Sequence, residues 1–253
     1  MSGDSAKKLN KILPLLGAFG LLVFAVAIVL SLTIKSAPPT GDSSSEISSS
    51  AQQSNEIHAP IAMPLTDEEF FTGSAFIGNS CVERLFVQGY GLQADFLSGV
   101  GLTVHTAFTN PPARLDRPVT DLLADGRQYS RIFILFGINE VGTDPTVFIE
   151  KYGQLIDHIK ANQPSAQIYV QAILPVSRAA HERNLYLVNN DNIHMFNQLI
   201  VDMTNAKQVN FLNTYEALAD AEGFLPDDAS SDGIHLSKDY NQVWINYLKE
   251  HVR

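Results

Sequence analysis

Cysteine is nearly missing from this 253-residue chain, in which Cys81 stands alone. A single thiol excludes an internal disulfide and any zinc or iron–sulfur site built from several cysteines. Basic residues are also scarce: 17 stand against 27 acidic ones, for a formal net charge of −10. Nucleic-acid surfaces carry a basic stripe, so nucleic acid is not expected as a partner. His58, His105, His158, His181, His194 and His251 show no metal-ligand spacing, and HExxH, Walker A and GxGxxG patterns are absent. Neither a metal nor a cofactor is expected. No internal repeat is visible. With 45% hydrophobic residues, 16 Gly and 12 Pro, the chain is not collagen-like, mucin-like or wholly disordered.

What is abundant lies at the front. Residues 12–34, ILPLLGAFGLLVFAVAIVLSLTI, carry no charge and are bracketed by Lys11 and Lys35. Those 23 residues exceed the ~20 that a helix needs to cross a bilayer core. A cleaved signal peptide is the competing reading, but its apolar region usually runs to only about 7–15 residues. Lys7, Lys8 and Lys11 precede the run against Lys35 after it, which predicts a cytoplasmic N-terminus at 1–11 and an extracellular C-terminal bulk. Residues 35–64 are rich in Ser and Pro and read as a disordered linker. A flexible coil of that length spans roughly 30 Å on average, so the folded part would work close to the membrane's outer face.

From 65 to 253 the pattern is α/β. Short apolar runs at 74–77, 131–136, 167–173 and 209–212 read as buried strands, since parallel strands covered on both faces lose the usual alternation. Between them, Phe148, Tyr152, Leu155, Ile156 and Ile159 mark one face of a helix opened near Pro145. Ile193, Phe196, Leu199, Ile200 and Met203 repeat that spacing, and a last helix opened by Ser237 carries Tyr240, Val243, Trp244, Tyr247 and Leu248. Strands alternating with helices imply a parallel sheet with a helical layer on each face. Ligands of such sheets sit at the carboxyl ends of the strands.

That rule directs attention to the residues after each strand. Gly78-Asn79-Ser80 follows the first, Gly137-Ile138-Asn139-Glu140 follows the strongest, and Ser231-Asp232-Gly233-Ile234-His235 follows the last. A nucleophilic serine needs a base to take its proton and an acid to orient that base. His235 and Asp232 could supply both. Each residue also has an ordinary reading. Ser80 could cap the following helix, Asn139 could be a turn residue, and Asp232-Gly233 is a common turn dipeptide. His235 could be a packed or capping histidine, Gly101 could be only a bend, and Gly99 competes for its place. Cys81 reads as a small buried residue.

FIGNS at 76–80, the glycine of GVGLTV at Gly101, GIN at 137–139 and DGIH at 232–235 together resemble the four blocks of the SGNH (GDSL) hydrolases, in order and spacing. The likeness runs over the whole domain, and phrases such as ILFGINE and SSDGIHLS resemble the membrane-anchored proteins of that family from Gram-positive bacteria. It implies a flavodoxin-like three-layer αβα sandwich with a five-stranded parallel sheet. It also implies Ser80 as nucleophile, His235 as base and Asp232 as its orienter. The oxyanion hole would comprise the N–H groups of Ser80 and Gly101 with the Asn139 side chain. Two positions depart from the family pattern, which usually has Asp in place of Asn79 and often Asp in place of Glu140. The function implied is a membrane-anchored esterase acting on small acyl esters, O-acetylated cell-wall glycans among them. The alternatives are acyl transfer on the same site and a non-catalytic glycan-binding module.

Overall fold

The computed structural model describes residues 66–252, so the span expected at 12–34 and the linker expected at 35–64 lie outside the described residues. Among the described residues, no helix is long and apolar enough to cross a membrane. Strands β1 (Ser74–Gly78), β2 (Ala94–Ser98), β3 (Arg131–Leu135), β4 (Gln167–Gln171) and β5 (Asn210–Leu212) form one sheet. Their order is β2-β1-β3-β4-β5, and every pairing is parallel. This is the flavodoxin-like order expected.

Four of the five strands lie in the apolar runs. The fifth, β2, has the sequence Ala-Asp-Phe-Leu-Ser and shows no such run. It is an edge strand whose first two residues are only partly buried. Asp95 is tolerated there because it accepts a hydrogen bond from Tyr129 Oη and pairs with Arg127, both at 2.7 Å. Two expected runs also outlast their strands. Phe136, Ala172 and Ile173 are buried, yet they lie beyond the ends of β3 and β4, in the turns that lead to the site.

Each inner strand sends alternate side chains to two different cores. Ala75, Ile77, Ile132, Ile134, Ile168 and Val170 meet helices α3 (Val119–Leu123), α4 (Pro145–Asn162) and α6 (Asn190–Lys207) on one side. Phe76, Phe96, Phe133 and Tyr169 meet α2 (Ser80–Gln88) and α8 (Lys238–His251) on the other. Those four rings sit opposite one another in the strand register and stack in a row. Successive centroids are 5.2, 4.8 and 5.4 Å apart, with interplanar angles of 9°, 17° and 17°. Such cross-strand pairs lock the register, because a one-residue slip would send every ring to the opposite core.

Short helices complete the two layers: α1 (Asp67–Phe70), α5 (Arg178–Arg183) and α7 (Thr214–Leu218). The long ones start where expected. Pro145 occupies the first turn of α4 behind an Asp144 cap, and Ser237 caps α8. One face assignment changes. Val243 is 43% exposed, because the buried stripe of α8 runs through Asn241, Trp244, Ile245 and Leu248. Leu199 on α6 is likewise only partly buried.

Candidate active site

In a sheet of this order the chain leaves β1 toward β2 on one side and returns to β3 on the other, which opens a crevice at the carboxyl ends of β1 and β3. Ser80 follows β1, and Asn139 follows β3. The turn after β1 settles what each of its residues does. Asn79, 1% exposed, is the N-cap of α2, its Oδ1 accepting the Cys81 N–H at 3.0 Å. Ser80 is therefore spared the capping role and begins the helix with its hydroxyl outside the backbone ladder. Cys81 is buried, and desolvation pushes its thiol up to about 12, so it is no rival nucleophile.

Ser80 Oγ donates instead to His235 Nε2 at 2.8 Å, across 155 residues of sequence. His235 Nδ1 lies 2.7 Å from Asp232 Oδ2. The other Asp232 oxygen accepts the N–H groups of Ile234 and His235 and the Ser230 hydroxyl, at 2.9, 2.8 and 3.0 Å. Burial would raise the Asp232 carboxyl, but the hydrogen bonds from the His235 ring and from the His235 and Ile234 backbone prevail. They hold it well below the usual carboxylate range. An ionised carboxylate only accepts, so Nδ1 carries the proton and the Nε2 lone pair faces the serine. That is the tautomer a general base requires.

Packing holds this loop in place. Gly233, at φ +85°, lies against α5, where a Cβ would stand 2.4 Å from Ser177 Oγ and 2.9 Å from Ala180 Cβ. Arg84, one turn beyond Ser80 on α2, donates to Leu236 O at 2.9 Å. Arg183 donates to Asp232 O at the same distance. Neither arginine stands out in the sequence. For Arg84, the i+4 spacing from Ser80 is the one signal available.

The third loop separates the two glycines. At Gly99 a Cβ would meet Pro112 Cβ at 2.8 Å, so this glycine answers to packing. Gly101 has φ +73° and nothing within 4 Å of that position, so backbone conformation alone asks for glycine there. Asn139 is exposed, and one N–H of its side-chain amide donates to Leu102 O at 3.1 Å. The second N–H remains for a ligand.

Ser80, Asn139 and His235 line a cleft of about 660 Å³ whose wall is apolar, with Ile138, Leu187 and Ile234 among its residues. Its rim at residues 186–188, which follows Asn184, was not legible in the sequence. Asn184, Tyr186 and Leu187 hold φ values of 47°, 55° and 62°. Left-handed backbone at a non-glycine residue costs about 1–3 kcal/mol. Tyr186 is 76% exposed beside the cleft. Among the described residues, no group of His, Cys, Asp or Glu side chains is assembled as a metal site.

The profile of the GDSL-like lipase/acylhydrolase family matches residues 76–243, which contain every residue of this site. Solved structures share the fold. One from Streptococcus pneumonia, named for a platelet activating factor, is 25% identical, with a TM-score of 0.59 over 72% of this chain and 84% of that one. A GDSL-like lipase from Bacteroides thetaiotaomicron is 18% identical, with a TM-score of 0.54 over 75% and 90%. An acetyl xylan esterase is 13% identical, with a TM-score of 0.53 over 71% and 99%. No curated protein sequence matches.

Proposed function

Because the chain belongs to the GDSL-like lipase/acylhydrolase family and is a serine hydrolase with the SGNH fold, we propose that it hydrolyses small acyl esters at Ser80. Ser80 Oγ attacks the ester carbonyl while His235 Nε2 takes its proton, and Asp232 stabilises the imidazolium that forms. The N–H groups of Ser80 and Gly101 and the free N–H of Asn139 receive the developing oxyanion. One such donor is typically worth about 3 kcal/mol of barrier. His235 then protonates the leaving alcohol, and water repeats the sequence on the acyl-enzyme. The observation that carries this reading is the continuous hydrogen-bonded chain from Ser80 through His235 to Asp232. A glycan-binding module would have no use for a serine hydroxyl bonded to a histidine that an aspartate orients.

The cleft gives the leaving alcohol room, and an O-acetylated glycan fits both its breadth and the acetyl xylan substrate named for one structural relative. Acyl transfer to a sugar hydroxyl needs the same steps, with the sugar in place of water. A fluorophosphonate probe applied to the full-length chain should modify Ser80 stoichiometrically, and p-nitrophenyl acetate should turn over faster than the decanoate. No labelling at Ser80 would sink the hydrolase mechanism, whereas a faster decanoate would remove only the short-chain preference.

Residues 12–34 are proposed as a single-pass anchor that leaves the domain outside the cell membrane, supported by the uncharged run and the lysine asymmetry around it. Protease added to intact cells should release the domain by cutting within 36–64. Protection until lysis would refute the orientation.

A further inference from the structure

Between the loops that carry Gly101 and Asn139 lies a carboxyl group that the mechanism above leaves unused. Glu140 directly follows the exposed Asn139, yet it is only 2% exposed itself. Its Oε1 accepts the Val104 N–H at 2.8 Å, a contact between residues 36 apart in sequence. Two residues earlier, Leu102 O accepts the Asn139 side-chain amide at 3.1 Å. Leu102 and Val104, just after Gly101, are thus tied to the dipeptide Asn139-Glu140. That dipeptide is itself firm. Glu140 N donates to Gly137 O at 2.8 Å, and Glu140 O accepts both the N–H and the hydroxyl of Thr143, at 2.8 and 2.7 Å.

Burying a carboxyl is expensive, and an apolar side chain of similar size would escape that desolvation. Here the expense is incomplete in its return. Among the described residues, no side chain pairs with Glu140 Oε2; the N–H groups of Gly137 and Asn139 lie near the carboxyl, and desolvation together with its charge pushes up the buried hydroxyl of Tyr152 on α4. What the carboxyl gains is its hold on Val104 N, and therefore on the loop.

On the hydrolase reading above, we propose that Glu140 is the positioning residue of the oxyanion hole, setting the distance between the Gly101 amide and the Asn139 side chain. The two donors come from different strands' loops and must converge on one oxygen, and a misplacement of about 1 Å can cost on the order of 100-fold in rate. Desolvation pushes the Glu140 carboxyl up to about 7, against the pull of the Val104, Gly137 and Asn139 N–H groups. Between its ordinary value of 4.5 and about 7, the folded chain keeps a proton that the unfolded chain has released. Stability therefore falls as pH rises through that window.

Three full-length variants test the proposal. Glu140→Gln keeps an oxygen for Val104 N–H, Glu140→Leu removes it, and Glu140→Asp falls one methylene short. For p-nitrophenyl acetate, Glu140→Leu should lower kcat about 10–100-fold with KM within about twofold, because oxyanion contacts act in the transition state. Glu140→Gln should stay within about threefold of wild type and lose the fall in melting temperature between pH 4.5 and 7. Amide exchange over 101–108, which needs no turnover, should quicken at least about tenfold in Glu140→Leu and not in Glu140→Gln. If Glu140→Leu does not fold, reduced kcat and faster loop exchange in Glu140→Asp carry the same meaning. Unchanged loop exchange in every variant that removes the contact overturns the tie, even if the wild type proves inactive. Faster exchange with wild-type kcat overturns the role in catalysis, and an equal loss in Glu140→Gln would do the same.

Discussion

Ser80→Ala and His235→Ala should each lower kcat for p-nitrophenyl acetate by on the order of 10⁴–10⁶-fold, and combining them should cost little more than either alone. Members of a proton-transfer chain act as a unit, so the first loss removes nearly all that the second could. Thermal stability should hardly move. Ser80 lies at the start of α2 with the cap supplied by Asn79, and its side chain bonds to His235. A single hydrogen bond contributes about 1 kcal/mol, equivalent to about 2–4 °C in a chain of this size. Parallel measurement of kcat and melting temperature separates a chemical defect from a folding one. Wild-type turnover in either single variant would remove Ser80 and His235 from the mechanism.

Asp232→Asn should cost about 10⁴-fold in kcat with the loop left intact. The asparagine oxygen can still accept from the N–H groups of Ile234 and His235, which Asp232 Oδ1 now holds. Its NH₂ group then faces His235 Nδ1, where a carboxylate oxygen stood. Two donors cannot meet, so Nδ1 must become the acceptor, and the ring proton moves to Nε2, facing Ser80. The base is then in place but already protonated on the side where it must accept. Stability supplies a second readout. The Asp232 carboxyl lies below its ordinary 3.8, so it contributes stability above that pH and loses it as pH falls further. Asp232→Asn should remove this acid-side loss, and the size of the effect will be small because the side chain is half exposed. An active Asp232→Asn variant would show that the tautomer of His235 is set by something else.

Where the domain's strands and helices fall could be read from short stretches because each reports its own surroundings. The runs around Ile77, Ile134 and Val170 are apolar on consecutive positions, which happens when both faces of a strand are covered, and both are. The helix at Pro145–Asn162 carries its start signal and its apolar spacing within its own residues. The four motif blocks lie within 76–80, at Gly101, and within 137–139 and 232–235, each compact enough to be noticed. The edge strand β2 carries no apolar run because its first two residues are only partly buried and Asp95 finds partners in Tyr129 and Arg127.

Other features had no local signal. A serine and a histidine 155 residues apart meet because α2 and α8 pack on the same face of the sheet and Arg84 holds the Leu236 carbonyl. The hold of Glu140 on Val104, the division of labour between Asn79 and Ser80, and the strained rim at Tyr186 likewise follow from the assembled layers. Burial patterns and turn residues act over a few positions, so the chain itself determined its strands, its long helices and the turns that bear the candidate site. Distances between those turns depend on helix packing and on which buried polar groups find partners, and these were decided only when the layers closed.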